Sequence, residues 1–302
     1  MIKKLSIFFA IIILTQSTRA SENPASTGLS FLKSGAGARA VAMGEAFAAL
    51  VDDASGTFWN PAGLAHLQRA ELIFTHNEWL QDITNEYFAI GFSIRKNVVG
   101  ISFLSNSVGG IERRVNPTAE PLGIVYARDV MFGISYARFL DQRFSLGTSI
   151  KFLYEKIYVE SCSGAAFDVG LQYQTTIHGL KTGLSWQNIG YMTKLKYESS
   201  KLPQLLRLGL AYQLPVNIMQ GGIILTSDWV KIFNSTSHIN LGLEFGFKSF
   251  FVFRFGYQTG WDDKGIQGGF GIMLRRYRLD YAYVPFKSDL GNSHRISFGM
   301  QL

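Results

Sequence analysis

Few residues in this sequence have the type and spacing to do chemistry. The five histidines, His66, His76, His178, His238 and His294, are scattered, with no His-x-x-x-His pair and no cysteine at metal-ligand spacing. Cys162 is the single cysteine, so it has neither a disulfide partner nor a second thiol. His76-Asn77-Glu78 matches half of a zinc-deaminase signature, but the Pro-Cys-x-x-Cys half is absent. No Gly-x-Ser-x-Gly elbow or phosphate-binding loop occurs. Gly35-x-Gly37-x-x-Ala40, with Asp52 or Asp53 downstream, matches a dinucleotide fingerprint. That motif works only inside a βαβ unit, and no crossover-helix pattern follows residue 65. The expectation is a non-enzymatic protein with no cofactor and no metal.

The remaining titratable residues follow a different rule. Lys151, Asp168, Lys181, Arg207, Asp228, Glu244 and Arg254, with Arg275, Arg278, Asp280 and Arg295, fall at alternate positions of strand-like runs. In Phe144-Leu146-Thr148-Ile150-Phe152-Tyr154 one face is apolar, while Ser145, Gly147, Ser149, Lys151 and Glu155 make the other. Ile239, Leu241, Leu243, Phe245 and Phe247 oppose Asn240, Gly242, Glu244, Gly246 and Lys248 in the same way. Period-2 alternation is the mark of a strand with unlike faces. It recurs in about fourteen runs from residue 69 onward, most of them close to the 9–11 residues of a tilted membrane-spanning strand.

Such strands could build a soluble sandwich or a membrane barrel, because both alternate. Composition and export favour the barrel. Only 17% of residues are charged and 14% are aromatic, against about 25% charged in an ordinary soluble domain. Lys3 and Lys4 precede the apolar run Leu5 to Leu14, and Thr18-Arg19-Ala20 offers a cleavage site, so residues 1–20 read as a signal peptide. No later stretch reaches the roughly 18 apolar residues of a helical span. Removing Lys3, Lys4 and Arg19 lowers the formal charge of +7 to +4, too little and too dispersed for a nucleic-acid partner.

Tight connections at 95–97, 141–143, 248–249 and 276 alternate with longer ones at 106–123, 156–164, 189–203 and 259–265. This is the rhythm of outer-membrane barrels, with both chain ends on the periplasmic side. Tyr154, Tyr173, Trp186, Tyr212, Trp229, Tyr257, Tyr277 and Tyr283 fall where interfacial girdles lie. The expected fold is an all-β, antiparallel transmembrane barrel of about 14 strands over residues 69–302, in a bacterial outer membrane. The charges named above would face its lumen and neutralise one another across strands.

Residues 21–68 differ, being rich in small residues, and read as a helical or irregular hatch folded into the barrel. Asn60-Pro61 reads as a turn, Trp59 as its anchor against the wall, and Arg39 as a partner of Asp52 or Asp53. Met43, Phe47 and Phe58 complete the gating candidates. The stretch Phe31-Leu32, Gly37-Ala38-Arg39-Ala40, Met43-Gly44-Glu45-Ala46-Phe47, Asp52-Asp53-Ala54 and Trp59-Asn60-Pro61-Ala62-Gly63-Leu64 resembles the N-terminal signature of the PorV/PorQ family. That family belongs with the FadL-like barrels, whose hatch also carries an Asn-Pro-Ala element.

The resemblance implies a fourteen-stranded barrel with a small hatch. It also implies a part in type IX secretion, with secretion-system proteins or exported cargo as partners. FadL-like import of a hydrophobic small molecule such as a fatty acid is the alternative it carries. Outer-membrane lipid and the barrel-assembly machinery are the further expected partners.

Overall fold

The structure, a computed structural model, describes residues 27–302 except 81–82, 116, 118–119, 234, 249, 262 and 288–290. The expected signal peptide at 1–20 lies outside the described residues. Among the described residues sixteen strands form: β1 Glu71–Glu78, β2 Ile83–Ile94, β3 Asn97–Arg113, β4 Gly123–Phe139, β5 Phe144–Ile157, β6 Glu160–Gln174, β7 Leu180–Met192 and β8 Lys194–Leu195. They continue as β9 Glu198–Ser199, β10 Leu205–Gln213, β11 Ile223–Ile232, β12 Ser237–Phe247, β13 Phe251–Gln258, β14 Ile266–Leu274, β15 Tyr277–Pro285 and β16 Asn292–Gln301. β8 and β9 make a separate hairpin, and the other fourteen close an antiparallel barrel. Closure sets Leu72 opposite Met300 and Phe74 opposite Phe298, so no edge is left unpaired around the wall.

The two faces settle what the alternation left open. Phe132, Ile134, Ile150, Phe152, Phe253 and Phe255 point outward and are exposed, Ile150 to 66%. Lys151, Asp168, Arg207, Asp228 and Arg254 point inward and are buried. An apolar exterior around a polar interior is the inverse of a sandwich and the signature of a barrel in lipid.

Several expected connections are shorter than the sequence suggested. The 106–123 loop is mostly ladder, since β3 and β4 pair out to Arg113 and Gly123. The 156–164 loop is a two-residue turn, with Ile157 opposite Glu160 and Tyr158 in the left-handed region at φ 57. Polar residues on both faces there hide the strands from a periodicity test. The 189–203 connection holds the β8–β9 hairpin. Arg275 sits in the β14–β15 turn at φ 55, not in the lumen.

The start of β1 and the end of β16 share the rim that is periplasmic in such barrels. The described chain ahead of β1 starts at the other end of the barrel. The Gly28 amide donates to the Lys201 carbonyl (3.0 Å) beyond the β8–β9 hairpin, at the opposite, extracellular rim. From there the chain descends through the lumen in four short helices. These are a 3-10 turn at Ser30–Lys33, α1 at Ala38–Ala42, α2 at Gly56–Trp59 and a second 3-10 turn at Pro61–His66.

Candidate functional site

The hatch is built around Trp59, which is fully buried. Its indole N–H donates to the Ala36 carbonyl (2.7 Å), and Phe47 and Phe58 meet the ring edge-on at 6.1 and 5.2 Å. The Arg207 guanidinium of β10 lies 4.9 Å from the same ring, a cation–π contact between wall and hatch. Asn60 leaves α2 in an extended conformation, and its Oδ1 accepts from the Ala62 amide (3.1 Å), which caps the following turn with Pro61 at its first position. Its Nδ2 donates to the carbonyls of Ala48 (2.7 Å) and, across to the wall, Leu171 (3.2 Å). Met43, also fully buried, lies where α1 ends.

Inward glycines make the room for this packing. A Cβ at Gly170 would collide with Asn60, one at Gly147 with Pro61, and one at Gly183 with Ala48. Gly242 abuts Met43, and Gly256 abuts Gly44, itself at φ 65. The hatch backbone therefore lies directly against the wall backbone on β5, β6, β7, β12 and β13.

Charge then fastens the two parts. Arg39 of α1 contacts Asp52 (2.7 Å), Asp53 (3.4 Å) and Glu244 of β12 (3.1 Å). Glu244 meets Arg254 (2.7 Å), Arg254 meets Asp280 (2.7 Å), and Asp280 meets Arg278 (2.9 Å). Arg278 returns to Asp53 (2.8 Å). Three arginines and three carboxylates thus alternate in a closed ring, with Arg39 and Asp53 from the hatch and the other four from the wall. Burial pushes the Asp53 carboxyl up, but Arg278 and Arg39, helped by the Ser55 hydroxyl, outweigh it and hold it at about 2.

Other wall groups hold the hatch through its backbone. Asp228 accepts from the amides of Phe47 (3.0 Å) and Ala48 (2.9 Å). Arg295 donates to the carbonyls of Gly35 and Ser34, both at 2.7 Å. Lys151 meets Asp168 at 2.6 Å. Lys181 is half-buried near the periplasmic rim. There, burial lowers the pKa of His66 and Lys181 lowers it further, against weaker opposition from Asp52 and the Gln172 hydrogen bond.

The expected residues thus come together: Arg39, Met43, Phe47, Asp52, Asp53, Phe58, Trp59, Asn60 and Pro61 make the hatch. Of the expected lumen charges, Lys151, Asp168, Arg207, Asp228, Glu244, Arg254, Asp280 and Arg295 are buried, Lys181 and Arg278 are half-buried, and Arg275 lies in a turn. Sequence reasoning missed the carboxamides. Gln172 donates to the Ala48 and Val51 carbonyls (3.2 and 3.0 Å), and Gln187 to those of Phe58 and Trp59. Their inward parity was readable, but an uncharged amide does not stand out from other polar positions. Among the described residues no cluster of His, Cys, Asp and Glu could hold a metal ion.

A closed fourteen-strand barrel with an N-terminal hatch defines a FadL-like outer-membrane barrel. Solved structures agree at the level of fold. The CymD monoaromatic hydrocarbon channel superposes with a TM-score of 0.66 at 14% identity, covering 89% of this chain and 98% of its own. The Pseudomonas putida toluene transporter TodX gives 0.63 at 11% identity, covering 88% and 96%. A Pseudomonas aeruginosa FadL homologue gives 0.55 at 11% identity, covering 86% and 96%. A search of curated proteins finds no match. The family model for type IX secretion system protein PorV matches residues 17–245, and this chain belongs to that family.

Proposed function

We propose that this chain is a non-enzymatic docking barrel of type IX secretion, which binds the signal of an exported protein at its extracellular rim. Family membership supports the secretion role. The observation that carries the docking role is a projecting ribbon. β2 begins opposite Val108 and β5 ends opposite Ala127. Among the described residues from 109 to 126, β3 and β4 therefore pair only with each other, apart from the Tyr158 amide on the Tyr126 carbonyl (3.4 Å). Ile111, Val115, Leu122, Ile124 and Tyr126 are exposed on this ribbon, Tyr126 to 68%. Unpaired strand edges and apolar side chains in water are what an extended peptide uses to add a strand. At the ribbon's base a groove of about 550 Å³ is lined by Ser107, Val125, Tyr126, Lys156 and Tyr158, among others.

The test is site-specific photocrosslinking in cells, with a photoreactive residue at Ile124 or Val115. Expected adducts are exported proteins that share a C-terminal domain. The same probe at Ile150 on the lipid-facing wall serves as a control and should give none. Equal yields at ribbon and wall would overturn the reading.

The second reading is import of a hydrophobic small molecule, which the likeness to hydrocarbon channels supports at the level of fold. It requires the hatch to move, with Met43, Phe47, Phe58 and Trp59 lining the opened path and Arg39, Asp52, Asp53, Asn60 and Pro61 releasing it. Uptake of a radiolabelled fatty acid that depends on this chain, with an unaltered set of exported proteins, would favour that reading over the first.

A further inference from the structure

Lys151 of β5, Asp168 of β6 and Asn188 of β7 meet inside the wall, and the hatch does not explain why. Their relative exposures are 2%, 0% and 1%. Lys151 Nζ lies 2.6 Å from Asp168 Oδ2 and 3.0 Å from Asn188 Oδ1, with the Phe58 ring 5.8 Å away. We propose that Lys151 and Asn188 join in an intramolecular isopeptide bond, with Asp168 as the proton carrier.

Three features fit this chemistry. First, the ladder between β6 and β7 shifts register between Phe167 and Val169, and Asn188 sits there at φ 60. Gln187 and Asn188 are consecutive yet both buried, where regular alternation would turn one of them outward. The irregularity thus brings an extra carboxamide onto Nζ. A simple wall ion pair accounts for Lys151 and Asp168 and leaves this unexplained.

Second, Asn188 is fixed. Its backbone amide donates to Asp168 Oδ1 (2.7 Å) and its Nδ2 to the Pro203 carbonyl (3.0 Å). Asp168 Oδ2 has no aligned hydrogen-bond donor, which leaves it to take the proton of the nearby amine. Third, the other buried Lys or Arg side chains on the strands, among the described residues, are Arg207, Arg254 and Arg295, whose guanidiniums are not amines. Lys151 is an amine, and an amine can be acylated once neutral.

The step balances without a cofactor. The Lys151 ammonium passes one proton to Asp168, and in a dry interior the neutral pair avoids the cost of two desolvated charges. Nζ attacks the Asn188 side-chain carbonyl carbon and forms the new C–N bond. A second Nζ proton moves through Asp168 to Nδ2 as the old C–N bond breaks, and ammonia leaves. The new amide keeps the third proton, and Asp168 ends protonated.

The test is a peptide map of the full-length chain, extracted folded from outer membranes, then denatured and digested. The expected product is a branched peptide joined at Lys151 and Asn188, lighter by one ammonia, about 17 Da, than its two linear parts. Recovery of only linear peptides, with intact Lys151 and Asn188, would overturn the proposal from the wild type alone. An Asp168→Asn variant that still migrates as a folded barrel should give linear peptides. Full-yield branching in that variant would overturn the role given to Asp168.

Discussion

At the residue scale the chain is organised by partners that are distant in sequence. Arg39 and Asp53 form a ring with Glu244, Arg254, Asp280 and Arg278, and every member has an opposite charge on two sides. Removing one member leaves buried charge uncompensated, at a cost of about 3–5 kcal/mol. Arg39→Met should therefore loosen the hatch by that order, read as faster amide exchange over residues 38–60 with the barrel strands still protected. The Asp53 carboxyl, held at about 2 in the folded chain, has an unfolded value of about 3.9. A depressed carboxyl stabilises fully above its unfolded value and loses that contribution as pH falls through its folded one. Hatch opening attributable to Asp53, read as exchange corrected for the intrinsic amide rate, should thus stay flat from pH 7 to about 5 and rise only as pH drops toward 2. An Asp53→Asn variant should show a smaller acid-dependent rise, because Glu244 and Asp280 remain in the ring.

At the element scale the wall and the hatch are cut to fit each other. Inward glycines on five strands let the hatch backbone touch the wall. Gly256→Val would drive a side chain into Gly44, a backbone position at φ 65 that cannot retreat without strain. The variant should assemble and show heat-modifiable migration, while protease cuts the hatch much faster than in the wild type. Equal protection would show that the hatch does not seat on that strand. The alternation of Phe144 to Tyr154 was enough to place β5 and its inward Lys151. Inward glycines were visible too, but one sequence cannot say that Gly170 sits beneath Asn60, because that is a contact between segments 110 residues apart. The upper turns of β3 to β6 were missed because Glu155, Lys156 and Glu160 are polar on both faces and mimic a loop. Asn188 was missed because a register shift breaks the very parity that sequence reading relies on.

At the scale of the whole molecule, the exterior was legible from composition and the hatch from its small-residue signature, whereas the route of the chain was not. With Gly28 at the extracellular rim, the described residues from there to β1 thread the lumen from top to bottom. This segment crosses the lumen, seated on glycine and ringed by paired charge, and the proposed docking at the rim does not require it to open. The most direct test is ion conductance of the purified, folded protein in a planar bilayer. The closed-hatch account predicts no sustained conductance steps from the wild type and new steps from Arg39→Met combined with Gly256→Val. Steady, porin-sized steps from the wild type would contradict it and make the lumen a conduit.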